Sequence, residues 1–472
     1  MGLGLQGTLE MARNAMQTAR QGAEIAGHNL ANAAAPNYAR QRVKIQASVS
    51  IPTSNGPQGS GADVARIEQI RDYAVDKTIV SEKSVTSFLE TKQRQLRRAE
   101  TSLGQVLDRH SIDAGEAYGN LGIAEGIAGL FASFNSLSAS PTSMGERQTA
   151  VFNAQKLADK FNAVDRRLAD LRSSINDEVK DEVANVNVKI GEVAYLASSI
   201  GNTEIVEGTA NEIRDAMQAS LEELANYGNV STTTNDDGEL SVFLDGVGMV
   251  TDNVMTNTVQ LHTDAEGQYF LADADTGNII QLQSGNIKAL TDVRDSTIKE
   301  LRSDLDTLAS NLITEVNALH TTGYDLNGTN DNTLGFFSGT GAADIGVNTT
   351  LIDDPHRLQA SGVAGEVGDN SVIRQIAALG EKAITGLSNM TFAENYGNTL
   401  SRFGQEMALT DIQLEDQQAV QNMLLKHRDS VQGVSIDEEV ANLIIYQRAF
   451  QASAKLISTM DALMADVINL QK

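Results

Sequence analysis

Leu5, Leu9, Ala12, Met16, Ala19, Ala23, Ala26 and Leu30 follow an unbroken 4-3-4-3 spacing at one end of the chain. At the other end Ile436, Leu443, Phe450, Ile457 and Met464 recur every seven residues, flanked by Val440, Tyr446, Ala454, Met460, Val467 and Ile468. Such spacing places each set on one stripe of a helix and asks for a partner helix. The first stripe is mostly alanine, which buries little area at about 25 cal/mol per Å², and a lone helix of that kind is marginal in water. Both ends are therefore expected to pair with each other and with neighbouring copies, through Leu5, Leu9, Met16, Leu30, Leu443, Tyr446, Phe450, Ile457 and Met464.

Between these ends the period changes twice. The first helix is expected from about Leu3 to Ala31, because the residue before Pro36 is pushed out of the α region. Residues 50–62 concentrate Pro, Gly and Ser and read as a linker or loop. A long helix is expected from Arg66 to Leu107. Ser143–Glu146 has the form of a capping box, and Leu157, Phe161, Val164, Leu168, Leu171 and Ile175 keep a helical stripe that persists to about Ile200. A further helix spans roughly Gly208–Tyr227. Residues 228–285 then show short β-favouring runs separated by Asp237-Gly238, Asp245-Gly246, Glu266-Gly267 and Thr276-Gly277, the signature of antiparallel hairpins. Helical spacing resumes with Leu301, Leu305, Leu308, Leu312, Val316 and Leu319 and returns after Ser371 and from about Leu400 to Ser430. Ser435–Glu438 offers a second capping box before the terminal helix. The expected fold is mainly α, with paired terminal coiled-coil helices (1–50 and 433–472), a helical-bundle middle (51–228 and 286–432) and a small inserted antiparallel β domain (229–285).

Composition narrows the chemistry. The length of 472 residues allows about three domains. Cysteine is absent, so no disulfide framework or thiolate metal site can form. Aromatic residues make up only 4%, which suits long helices better than an aromatic-rich pocket. A net charge of -26 argues against nucleic acid or an anionic membrane as partner. The charge is uneven: residues 1–110 hold 14 Lys/Arg against 10 Asp/Glu, a net of +4, whereas residues 201–300 hold 4 against 18, a net of -14. No run reaches the roughly 18 apolar residues of a membrane span, and no cleavable signal peptide is visible, so an exported product is expected to leave by another route. The six histidines are scattered without metal-ligand spacing. Asp325–Asp331 begins like a calcium loop, but Asn330 stands at the glycine position and Phe336 where the bidentate glutamate belongs, so a Gly/Asn turn is expected. No catalytic residue, cofactor or metal site is expected.

Two segments carry a resemblance. Residues 28–42 (HNLANAAAPNYARQR) resemble the N-terminal signature of the flagellar rod, hook and hook-associated proteins, with Asn29, Asn32, Pro36, Tyr38 and Arg40 matching. Ala35 replaces the usual threonine and Asn37 the usual glycine, and asparagine tolerates the left-handed backbone such a turn needs. Residues 433–461 are similar to the C-terminal signature of the same family, opening with Asp437-Glu438-Glu439. The middle is similar to the hook-associated members, at residues 138–162, 285–295 and 317–328. After Asn211–Asp215 the family's Gln-Arg-Asp is replaced by Ala216-Met217-Gln218, which leaves the resemblance silent on a salt-bridge network there.

The resemblance implies an exported structural subunit that polymerises between flagellar hook and filament. Its interface would include Asn32, Pro36, Tyr38 and Arg40. Its partners would be copies of itself, the hook protein and a second junction protein leading to the filament, with an export chaperone on the C-terminal helix. A flagellin-like filament subunit or another axial subunit would share the paired ends. A secreted enzyme with helical anchoring ends would need convergent polar groups in residues 228–370, and no such constellation is visible.

Overall fold

The computed structural model describes residues 4–53, 56–104, 122–206, 208–236 and 238–469. Helix α1 (Leu5–Asn32) leads into a two-stranded antiparallel ribbon, β1 (Gln41–Ala47) against β4 (Ala62–Gln69), tipped by the short hairpin β2 (Ile51–Thr53) and β3 (Gly56–Gln58). This corrects the expected linker or loop and the expected helix start at Arg66. A bulge interrupts the ribbon's register between Lys44 and Ile45, and Gln41 alone of its residues is buried, so no clean two-residue alternation marks it.

Helix α2 (Tyr73–Leu103) starts where Asp72 accepts hydrogen bonds from the amides of Ala74 and Val75, and ends at Gly104 in left-handed backbone (φ +69°). Residues 105–107 of the expected helix, like His110, lie outside the described residues. Helices α3 (Ile123–Ala139) and α4 (Met144–Val206) follow, then α5 (Asn211–Leu224). Helix α4 runs 63 residues, about 95 Å at 1.5 Å per residue. Ser143 caps it through a single bond from the Glu146 amide at 3.5 Å.

The insert forms as the turn residues indicate. Strands β5 (Val230–Thr234), β6 (Leu240–Leu244), β7 (Val247–Thr251) and β8 (Val254–Met255) make one antiparallel sheet, and β9 (Val259–Thr263) pairs with β10 (Tyr269–Asp273). Asp245 and Gly246 both have positive φ, as a two-residue hairpin loop requires. Asp252-Asn253 makes a second such loop that its residue types had not flagged. The insert is not a separate knob. Its apolar residues Val242, Leu244, Val259 and Leu271 share one continuous core with Val179, Val183, Val186 and Ile190 of α4. Asn187 bonds the amide and carbonyl of Val259 (2.9 and 2.7 Å), while Asn176 accepts from the Tyr269 amide and donates to the Gly267 carbonyl (2.8 and 3.1 Å). The insert's two ends emerge together, with the Asn286 amide bonded to the Asn226 carbonyl at 2.7 Å.

Helix α6 (Asn286–Asp292) continues through one π-helical turn (Val293–Thr297) into α7 (Ile298–His320). In that turn the buried Arg294 bonds Asn176, the Tyr269 carbonyl and Asp295, and lies 4.7 Å over the Phe270 ring. The predicted stripe of α7 is buried from Leu301 to Val316. The loop at 325–331 is the Gly/Asn turn: Asp325 accepts from the amides of Asn327 and Thr329, with Gly328 at φ +74°. Short elements follow, β11 (Phe337–Ser338), β12 (Gly346–Val347), α8 (Thr349–Asp353) and α9 (Ser371–Ala378). Helix α10 (Phe392–Gln432) opens on a reciprocal capping box between Thr391 and Glu394, which the sequence reading passed over. Helix α11 (Ile436–Asn469) then returns along α1.

Candidate assembly interface

Small residues set the approach of the terminal helices. Ala12, Ala19 and Ala26, seven residues apart on α1, are buried, and Gly22 lies on the same side against Tyr446 of α11. The other flank of α1 rests on the β1–β4 ribbon, where Thr18 donates to the Ala62 carbonyl at 3.1 Å. On α11, Leu443, Tyr446, Ile457 and Met464 are half-buried and Met460 is buried. Ile436 and Phe450, on the same seven-residue register, are 57% and 39% exposed. A straight helix drifts about 20° per heptad from a strict seven-residue repeat, so one partner helix cannot cover the whole stripe. Leu5, Leu9 and Met16 are half-buried and Leu30 is exposed. Val440, Ile444, Ile445, Leu463 and Val467 leave an apolar face of α11 open.

Where the helix pair meets the body, a polar clasp joins the two signature segments. Asn37 adopts φ +64°, the left-handed geometry expected at that turn, and Pro36 is exposed at its tip. The turn brings Tyr38 back onto α1, where its hydroxyl donates to Asn29 Oδ1 at 2.8 Å. His28 Nδ1 is 3.0 Å from the same hydroxyl oxygen, and Asn32 Nδ2 is 3.3 Å from His28 Nε2. Because the tyrosine proton is committed to Asn29, this arrangement fits a His28 carrying its proton on Nδ1. Asn29 itself is buried and fully used: Oδ1 also accepts from the Gln41 amide, while Nδ2 donates to the Gln41 carbonyl and to Glu439 Oε2. Burial, and then Asp215, Glu212 and Glu439, push the Tyr38 phenol well above its usual range.

Arg40 closes the clasp. Its Nε and Nη2 hold Glu439 Oε1 (2.7 and 2.6 Å), and its Nη1 holds Glu438 at 2.8 Å. The Glu439 side chain is 3% exposed. The Arg40 amide donates to the Gln432 carbonyl at 2.9 Å, so the two chain crossings between helix pair and body are bonded to each other. Beneath them Arg71 sits between Asp76 (3.1 Å) and Asp215 (2.5 Å), with Gln69 also donating to Asp215. Burial raises both aspartates above the ordinary carboxylate range despite Arg71. A salt-bridge network thus exists at Asp215, built with Arg71 rather than with residues 216–218. A cavity of about 290 Å³ opens beside it, floored by Val80, Ile200, Met217 and Leu221. The guanidinium groups at its edge are committed to carboxylates, Arg71 as above and Arg214 to Glu204.

The structure therefore brings Asn32, Tyr38 and Arg40 together and spreads the apolar interface positions along the helix pair. The sequence reading did not rank Glu438, Glu439, Gln432 or Arg71 among interface residues. The adjacent carboxylates of the C-terminal signature were the available signal for the first two.

The comparisons with known proteins bear on this arrangement. The family pattern described as the flagellar hook-associated protein FlgK helical domain matches residues 113–337, and that of the flagellar basal body rod FlgEFG protein C-terminal matches residues 429–470. Flagellar hook-associated protein 1 of Bacillus subtilis is 23% identical over 98% of this chain and 97% of its own. That of Salmonella typhimurium is 21% identical over 98% and 99%. Over nearly its whole length the chain is thus similar to flagellar hook-associated proteins. Among solved structures, the flagellar hook junction protein FlgK from Burkholderia pseudomallei aligns with a TM-score of 0.47 at 22% identity, covering 56% of this chain and 46% of that chain. The family is one of structural flagellar proteins. Among the described residues, no helix is long and apolar enough to cross a membrane.

Proposed function

We propose that the chain is a structural subunit of the bacterial flagellum that polymerises at the hook–filament junction and connects hook to filament. One observation carries the reading: α1 covers only one side of α11, and the uncovered apolar face is the kind of surface that monomeric proteins avoid. Neighbouring copies cover it in an assembled tube, with the hook protein at one end and a second junction protein at the other. The Arg40–Glu438–Glu439 clasp holds the helix pair at a fixed angle for that packing. Leu5, Leu9, Met16, Leu30, Leu443, Tyr446, Phe450, Ile457 and Met464 form or support the tube contacts. The subunit acts outside the cell without catalysing a reaction, with α11 as the docking segment for an export chaperone.

Phe450→Asp tests the reading, because an unpaired charge in a packed helix interface is strongly unfavourable. Cells carrying it are expected to build hooks yet release filament subunits into the medium. Normal filaments on such cells would sink the assignment.

A further inference from the structure

Helix α10 packs one side against α2 and α7 and leaves a second apolar stripe open. Leu409, Val420 and Val431 lie eleven residues apart, as do Ile412 and Met423, and all five are exposed, Ile412 by 58% and Met423 by 64%. Asp416 and His427, also eleven apart and exposed, lie on the same stripe. Eleven residues per three turns is 3.67 per turn, close to the natural period, so the stripe runs nearly straight along the helix. It is also self-complementary in reverse. Aligned antiparallel about the point between Gln421 and Asn422, Val420 shares a layer with Met423, Ile412 with Val431, and Asp416 with His427. The one acidic and the one imidazole group of the stripe thereby meet each other, and no other layer between 412 and 431 places a charge on this seam.

We infer that α10 is a docking surface for a second copy of this chain, in an antiparallel two-fold contact centred between Gln421 and Asn422. Self-complementarity of the apolar layers, together with the Asp416–His427 match, selects a second copy over a different partner. An isologous contact closes at two copies. It is therefore a state of the subunit outside any growing tube, distinct from the terminal-helix contacts. The stripe spans about 20 residues, roughly 30 Å, short of what a tight dimer buries, so the association is weak and depends on concentration.

Sedimentation equilibrium of the full chain should show a mass rising from 50.4 kDa toward twice that value as concentration reaches about 200 µM, the range of weak, small interfaces. Met423→Asp, a surface change that leaves the fold intact by circular dichroism, should weaken association at least about tenfold by placing a charge in both central layers. The chain has no cysteine, so orientation can be read directly. The double variant D416C/H427C should oxidise to a covalent dimer, whereas L409C alone should not. Within one chain residues 416 and 427 lie about 16 Å apart along the helix, beyond the roughly 7 Å that a disulfide spans. A mass fixed at the monomer throughout, association unchanged by Met423→Asp, or cross-linking of L409C as efficient as that of the double variant would each overturn the inference. The first of these would leave the stripe to a neighbouring copy in the assembled structure.

Discussion

The ring of Tyr446 lies against the backbone of Gly22: a β-carbon added at residue 22 would stand 2.5 Å from the tyrosine Cε1. Alanine is the better helix former by about 1 kcal/mol, but overpacking costs about 1–3 kcal/mol, and here the displaced group is a whole ring. Gly22→Ala is therefore expected to loosen the helix pair by about 1 kcal/mol, seen as faster amide exchange along both α1 and α11. Adding Tyr446→Ala should remove most of the effect of Gly22→Ala, because the two changes act on one contact.

Arg40→Ala removes the partner of a carboxylate that is almost wholly buried, leaving Glu439 with only the Asn29 amide. Breaking one side of such a pair costs about 3 kcal/mol, and denaturant unfolding should register a loss of that order. Adding Glu439→Gln should recover part of it. An undiminished midpoint in Arg40→Ala would show that the clasp does not bear on stability.

His320 supplies a pH dependence with a definite sign. It is buried, with Nδ1 2.9 Å from the Leu334 carbonyl and Nε2 accepting from the Gln359 amide at 3.0 Å, so both ring nitrogens are used by the neutral form. Burial lowers its pKa from 6.5 to about 4. The unfolded chain then takes up the proton first on acidification. Stability from this group is complete above pH 6.5 and declines as pH falls toward 4, by about 3 kcal/mol in all. Asp76 and Asp215, whose pKa values are raised, contribute with the opposite sign. The measurement is accordingly the difference between the parent and His320→Gln, followed by unfolding at pH 7, 5.5 and 4; the parent should lose its advantage across that window.

Deleting the insert by joining Tyr227 to Gly285 preserves adjacent chain ends, yet it uncovers the α4 face from Val179 to Ile190. The shortened protein is expected to aggregate rather than fold. A gentler probe is Asn187→Ala, which leaves the Val259 amide and carbonyl without the partner seen here and should cost about 2 kcal/mol. Wild-type stability in Asn187→Ala would show that the hairpin's grip on α4 lies elsewhere.

Long stripes proved legible because packing on one side of a helix forces them: the series Leu157–Ile175 and Leu301–Val316 emerged buried as written. Turn chemistry was equally readable where φ must be positive, at Asn37 and Asp245-Gly246. The β1–β4 ribbon was not, because a two-stranded ribbon lying on a helix buries too little of either face to impose alternation. The clasp was half legible. Tyr38 and Arg40 stood out by family pattern, but Glu439 lies 399 residues from Arg40 in the chain, and no local rule joins them.

The chain crosses between the terminal helix pair and the body twice, at residues 33–40 and 433–435, and the Arg40–Gln432 bond ties the crossings together. A body hung on a single strand can spin about it. One hung on two bonded strands, braced by Arg40 against both glutamates, must turn with whatever turns the helices. Rotation applied to the helix pair is thus passed outward as torque instead of being lost as swivel.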